Sequence, residues 1–116
     1  MRIKSAEPTK TSFRTEVFSL VKKIPPGKVL NYGAVAEMIA KPRSARQVGY
    51  ALRSLGLNEE NIPWWRVVNK SGYLSIDHGE GGIEKIIQRQ LLEDEGIIVN
   101  EDNTINMNHY FWKSNL

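Results

Sequence analysis

Two short helical segments with a breaker between them constrain this chain more than any other feature. Asn31 is a strong N-cap residue, and the apolar residues that follow predict a helix from Tyr32 to Ile39 with Val35, Met38 and Ile39 inward. Lys41-Pro42-Arg43 breaks it, because proline lacks an amide hydrogen and restricts the residue before it. Ser44 can cap a following helix, Ala45 to Leu55, which Gly56 closes at the C′ position. Two short helices joined by a tight turn predict a helix-turn-helix, a pattern that many ordinary helical pairs share.

The flanking sequence predicts a mainly α fold with a small β-hairpin. From Ser12 to Ile24, the apolar residues Phe13, Val17, Phe18, Leu20, Val21 and Ile24 fall on one helical stripe, with Thr11 or Ser12 as cap and Pro25-Pro26-Gly27 as the terminating turn. A short extended piece runs from Lys28 to Leu30. Arg66 to Asn69 and Tyr73 to Ser75 read as two strands around Lys70-Ser71-Gly72, a hairpin signal. A glycine-rich stretch, His78-Gly79-Glu80-Gly81-Gly82, leads into an amphipathic helix with Ile83, Ile86, Ile87 and Leu91 on its apolar stripe, stopping at Gly96. Ile97 to Val99 and Thr104 to Met107 read as short and irregular, and Tyr110-Phe111-Trp112 as core packing.

At 116 residues the chain is expected to form one domain, with residues 1–10 as a loose basic arm. It has no cysteine, which excludes disulfides, thiolate metal sites and a cysteine nucleophile and fits a reducing compartment. The apolar runs are too short for a transmembrane helix, and Met1 to Lys10 has no apolar core of a secretory signal. A cytoplasmic protein is the resulting expectation, and a DNA partner would place it at the nucleoid, or in the nucleus of a eukaryote. His78 and His109 have no ligand-spaced companions, so neither a metal nor another cofactor is expected. The net charge of +3 is a weak basic bias, but its distribution is uneven. Met1 to Arg53 holds eleven Lys/Arg against three acids, Glu7, Glu16 and Glu37. A basic half suits a phosphate backbone.

The segment Ser44-Ala45-Arg46-Gln47-Val48-Gly49-Tyr50-Ala51-Leu52-Arg53 is unusual for a core helix. Val48, Leu52 and Leu55 face inward, whereas Ala45 and Gly49 sit on a separate small-residue face. A mid-helix glycine costs about 1 kcal/mol relative to alanine. Close helix packing is one explanation. Close approach to DNA, with Arg46 projecting between small neighbours, is the other.

Tyr32, the run Ala45 to Arg53, Pro63-Trp64-Trp65-Arg66-Val67-Val68 and Leu92-Glu93-Asp94-Glu95-Gly96 together resemble the C-terminal domain of the O6-alkylguanine-DNA alkyltransferases over about residues 14 to 97. That family's active-site motif is Pro-Cys-His-Arg-Val. Trp64 stands in the cysteine position and Trp65 in the histidine position, so the chain is similar to the alkyltransferase-like proteins in particular. These usually keep the histidine, which this chain lacks. Only about ten residues precede the first helix, so the family's separate N-terminal domain is expected to be absent.

The resemblance implies a winged-helix-like helix-turn-helix that enters the minor groove, unlike the usual major-groove reader. It implies that Arg46 takes the place of the extruded base and that Tyr32 crowds the 3′ phosphate. Ala45 and Gly49 allow close contact with the groove floor, Gln47 lies on the same helix and Arg53 reaches a phosphate. Gln47 and Tyr50 are bulkier than the residues often found there. The implied base pocket comprises Tyr32, Pro63, Trp64, Lys70, Gly79, Glu80 and Gly81, with part of the Trp64 ring accessible for stacking. Trp65 is expected to be largely buried as a volume filler, and Glu95, which supports the histidine in active enzymes, to be an orphan. Lys70 attracts phosphate or the modified base, or is simply a solvated turn lysine. The hinge asparagine is Asn58 or Asn61.

The function implied is non-enzymatic recognition of double-stranded DNA carrying O6-alkylguanine, by a monomer that hands the lesion to nucleotide excision repair. Alkyl transfer is excluded for want of a thiolate. A hydrolytic role for Glu80 or Asp77 is a minor alternative, and a helix-turn-helix module or regulator without lesion specificity is the main one.

Overall fold

The computed structural model describes residues 12–55, 61–74 and 83–113. The basic arm, Thr11, Gly56, Asn58, Ser75, Asp77, His78 and the pocket residues Gly79, Glu80 and Gly81 lie outside the described residues.

Helix α1 (Phe13–Val21) starts at Ser12, whose hydroxyl accepts from the Thr15 amide, and buries Val17, Leu20 and Val21. The chain leaves it through one tightened turn, with Ile24 N donating to Val21 O, so regular α-helix stops before Ile24 while that side chain still reaches the core. Strand β1 (Leu30–Asn31) runs directly into α2 (Tyr32–Met38), where Asn31 Oδ1 accepts from the Ala34 amide at 2.7 Å. Val35 and Ala36 form the buried face of α2. Met38 is exposed and Ile39 half-buried, a correction to the predicted inward trio. Ala36 lies about 100° from Val35 around the axis, so the buried face turns away from Met38.

Helix α3 (Ala45–Arg53) buries Val48 and Leu52 as predicted and Ala51 besides, whereas Leu55 lies past its end and is half-buried. Ser44 holds the N-cap position, but its side chain makes no capping hydrogen bond. Helices α1, α2 and α3 pack against one another and complete the helix-turn-helix.

The small β element is parallel, which corrects the predicted hairpin. Strand β2 (Val67–Val68) follows a 3-10 turn over Trp64–Arg66 and pairs with β1 in the register Leu30↔Val67, Asn31↔Val68. Val29 bridges to Phe111 on the opposite edge, so the segment from Val29 to Asn31 is flanked on both sides. The tight turn at Asn69 to Gly72 does form, but Tyr73 bridges antiparallel to Thr104, not to β2. Gly72 takes φ +91, and a Cβ there would fall on the carbonyl oxygen of Ile105.

Helix α4 (Ile83–Asp94) is turned relative to its expected stripe. Glu84, Gln88 and Leu92 are buried, whereas Ile83 and Ile86 are exposed and Ile87 and Leu91 half-buried. Gln88 tolerates burial because Nε2 donates to the Trp65 and Val67 carbonyls, both at 3.1 Å. Gly96, at φ +89, ends the helix region as predicted. A further short helix, α5 (Met107–Tyr110), was not legible in the sequence.

The main core lies among α1, α2, α3 and the Trp64 turn. A second cluster gathers Val29, Val68, Leu74, Leu92, Ile97, Val99 and Ile105, and Trp65 packs against both. Phe111 and Trp112 are half-buried against the main core, and Tyr110 against the second. No helix among the described residues is long and apolar enough to cross a membrane.

Candidate nucleic-acid interface

Burial of Val48, Ala51 and Leu52 fixes which side of α3 faces outward. Arg46, Gln47 and Tyr50 are exposed on that side. The Asn31 cap starts α2 so that the Tyr32 ring lies beside Gly49. Tyr32, Ala45, Arg46, Gly49 and Arg53 together line one open groove of about 310 Å³. The structure therefore brings together five of the six residues assigned to DNA, while Gln47 lies on the exposed helix surface outside the groove lining. Arg46 has no ion pair among the described residues, so its guanidinium is available to an incoming ligand.

Gly49 distinguishes the two explanations for the small-residue face. An added Cβ would lie 3.8 Å from both Tyr32 Cε1 and Arg53 Nη2, ordinary van der Waals contact. Helix packing in the free protein therefore has room for alanine. What the missing Cβ provides is access to the helix backbone between Tyr32 and Arg53.

A larger cleft of about 720 Å³ lies beside α1 and the end of α2. Its lining carries Glu37, Lys23 and Glu16, the last paired with Lys41, and so lacks the arginine pair of the Arg46 groove.

The Trp-Trp motif departs from its expected geometry. Trp64 is 1% exposed and lies in the main core, and Trp65 is only half-buried. The expectation of an accessible Trp64 ring and a largely buried Trp65 is overturned. Alternation between faces applies to a strand, but these residues occupy a 3-10 turn, where successive side chains are about 120° apart. The two rings meet edge to face with centroids 5.9 Å apart. Trp64 Nε1 is buried and has no hydrogen-bond partner among the described residues. Pro63 is buried beside it.

Glu95 is not an orphan, a second correction. Its carboxylate accepts from Trp65 Nε1 at 2.9 Å, from Arg66 Nε at 3.0 Å and from the Gly27 amide at 3.2 Å. Arg66 also donates to the Ile24 carbonyl at 2.7 Å and holds its guanidinium 5.4 Å from the Trp65 ring centroid. Burial pushes the Glu95 carboxyl up, but hydrogen bonds from Arg66, Trp65 and Gly27 and the Arg66 charge outweigh it and leave the carboxyl below the usual range. The cluster fastens the Trp64–Arg66 turn to the end of α4 and to the turn after α1. The Leu92 to Gly96 run marked Glu95 in the sequence, but nothing local identified its partners. Gln88, the other fastening of this turn, carried no signal at all.

Lys70 is exposed on its turn, where Asn69 Oδ1 accepts from the Ser71 amide, and does not line the groove. Asn61 is exposed at the entrance to the motif. No group of three or more metal-ligating side chains occurs among the described residues.

Residues 12–97 match the family described as 6-O-methylguanine DNA methyltransferase, DNA binding domain. A DNA base-flipping protein of Vibrio parahaemolyticus is 39% identical over 101 residues, 87% of this chain and 96% of that protein. Alkyltransferase-like protein 1 of Schizosaccharomyces pombe is 36% identical over 105 residues, 87% of this chain and 94% of that one. The crystal structure of S. pombe Atl1 in complex with damaged DNA containing O6-carboxymethylguanine superimposes with a TM-score of 0.81 at 36% identity, covering 88% of this chain and 95% of that one. With the helix-turn-helix, the Arg46 groove and the Trp64 turn in place, these matches make the chain a member of the alkyltransferase-like proteins, built on the DNA-binding domain of the 6-O-methylguanine DNA methyltransferases.

Proposed function

We propose that the protein docks α3 in the minor groove of duplex DNA, rotates an O6-alkylguanine out of the stack and holds it unrepaired for nucleotide excision repair. The observation that carries this reading is the groove joining Tyr32, Ala45, Arg46, Gly49 and Arg53. Arg46 fills the vacated place in the stack, where a planar cation can stack on bases and donate to the orphaned partner. Tyr32 crowds the phosphate of the rotating nucleotide, and Arg53 meets the backbone. Gly49 and Ala45 let the helix approach closely. A damaged, weakly paired base costs less to extrude than a normal one.

The receiving pocket in this reading comprises Tyr32, Pro63, Trp64, Lys70, Gly79, Glu80 and Gly81. Tyr32 supports it by packing against the core that holds Trp64. Trp64 backs it from the core, with an indole N–H that lacks an acceptor among the described residues. With no cysteine in the chain there is no thiolate to accept an alkyl group. A second reading, a DNA-binding module without lesion specificity, draws on the 1% exposure of Trp64, since the ring offers no open stacking face.

The deciding experiment compares affinity for an O6-methylguanine duplex and its unmodified counterpart at one fixed salt concentration. Tighter lesion binding is expected, weakening with salt as cations are displaced from phosphate. Arg46→Ala should lose most of it with an unchanged thermal midpoint. Equal affinities would establish the generic module, and labelled methyl appearing on the protein or free base in solution would establish an enzyme.

A further inference from the structure

We propose that Tyr50 is a second DNA-reading side chain, a partial wedge against the bases about two steps from the flipped nucleotide. This rests on the docking of α3 in the minor groove. The ring is 55% exposed, although Val48, Ala51 and Leu52 on the same helix are buried. It lies four residues beyond Arg46, on the same ridge and near the middle of the outward face. Four residues of helix rise about 6 Å. Successive bases of one strand are about 3.4 Å apart along the duplex axis. A helix following the groove with Arg46 in the vacated position therefore brings Tyr50 to a pair roughly two steps away.

The ring is also held in place. The Arg53 guanidinium carbon lies 5.2 Å from its centroid, and the same arginine lines the groove with Arg46. A restrained aromatic loses less conformational freedom on binding than a free one. Helix α3 carries no carboxylate, and Arg46 and Arg53 lie on either side of Tyr50 along it. Exposed aromatic surface interleaved with arginine suits stacked bases and phosphate. Minor-groove proteins use such wedges to unstack a step and bend the duplex. The consequence for this chain is sensitivity to sequence context, because pyrimidine–purine steps unstack most easily.

The test uses the full chain, its Tyr50→Ala, Tyr50→Phe and Arg46→Ala variants, and O6-methylguanine or unmodified duplexes with 2-aminopurine one to three steps on each side of the target. Wild type and Tyr50→Phe should brighten the reporter about two steps from the lesion. Tyr50→Ala should lose that signal and roughly five- to a hundredfold in affinity while melting normally. Arg46→Ala should lose binding through the lesion itself. Unchanged affinity and an unchanged flanking reporter in Tyr50→Ala would overturn the assignment. If wild type does not prefer the lesion, lesion recognition fails. Tyr50 is then judged on unmodified duplex, where weaker binding by Tyr50→Ala supports it and equal binding overturns it.

Discussion

The indole N–H of Trp65 donates to Oε2 of Glu95 at 2.9 Å. The family resemblance places a histidine at Trp65 in active alkyltransferases, supported by the glutamate at Glu95. Here the donor to that carboxylate is an indole, which cannot act as a base. Arg66 and the Gly27 amide converge on the same carboxylate, which makes it a strut between three chain segments.

That strut sets an acid limit on stability. The folded Glu95 carboxyl titrates below the usual carboxylate range, so the unfolded chain takes up its proton first as pH falls. The contribution is complete above the ordinary glutamate range and is lost as pH drops through the lowered folded value. Glu95→Gln should lower neutral stability by about 1.5–3 kcal/mol, the range for a hydrogen bond to a charged group. It should also flatten part of the acid limb in thermal melts between about pH 2 and 7. A variant whose acid limb parallels wild type would show that other carboxylates set it.

The two tryptophans should differ in stability in the order of their burial. Trp64→Ala removes a ring that is 1% exposed in the main core and should cost about 3–5 kcal/mol. Trp65→Ala, from a half-buried ring with one polar partner, should cost less. Urea melts of both variants check the order, and a larger loss for Trp65 would contradict the packing described.

Short-range features of this fold were legible, and long-range ones were not. Asn31 as a cap, the breaker at Pro42 and the inward Val48 and Leu52 all depend on neighbours within a turn or two, and they stand as read. The parallel pairing of Leu30 with Val67 depends on a partner distant in sequence, and no local alternation encodes it. The isoleucines of α4 gave a clean but misleading stripe, because the buried face uses Glu84 and Gln88, whose polarity hides them from a hydrophobic pattern. At the candidate site, Tyr32, Ala45, Arg46, Gly49 and Arg53 were grouped by their resemblance to the family pattern, and the fold brings them to one groove. The burial of Trp64 and Trp65 departs from expectation because they sit in a 3-10 turn, where neighbouring side chains do not alternate between two faces.

Ala40 gives a stability prediction independent of function. It sits after the C-cap of α2 with φ 64, while Lys41 N donates to Ala36 O at 2.9 Å across the helix end. A left-handed L-residue costs roughly 1–2 kcal/mol, and glycine avoids that cost while giving back part of it in unfolded-chain entropy. Ala40→Gly should therefore stabilise by about 0.5–1 kcal/mol. An equal or lower denaturation midpoint would mean the turn gains nothing from glycine.

Gly49→Ala should separate folding from binding. The new Cβ meets Tyr32 and Arg53 at 3.8 Å, which the fold accommodates without displacing a neighbour. Alanine is better than glycine inside a helix by about 0.8–1 kcal/mol, so the thermal midpoint should rise. The same methyl group stands on the groove-lining face next to Arg46, and under the proposed docking it would stand between α3 and the duplex. DNA affinity should fall while stability increases, opposite in sign to the coupled losses of a damaged core. A titration with the O6-methylguanine duplex beside a urea melt measures both. If Gly49→Ala binds as tightly as wild type, α3 does not approach the groove floor at this residue. If it is destabilised instead, glycine is held there by packing within the free fold.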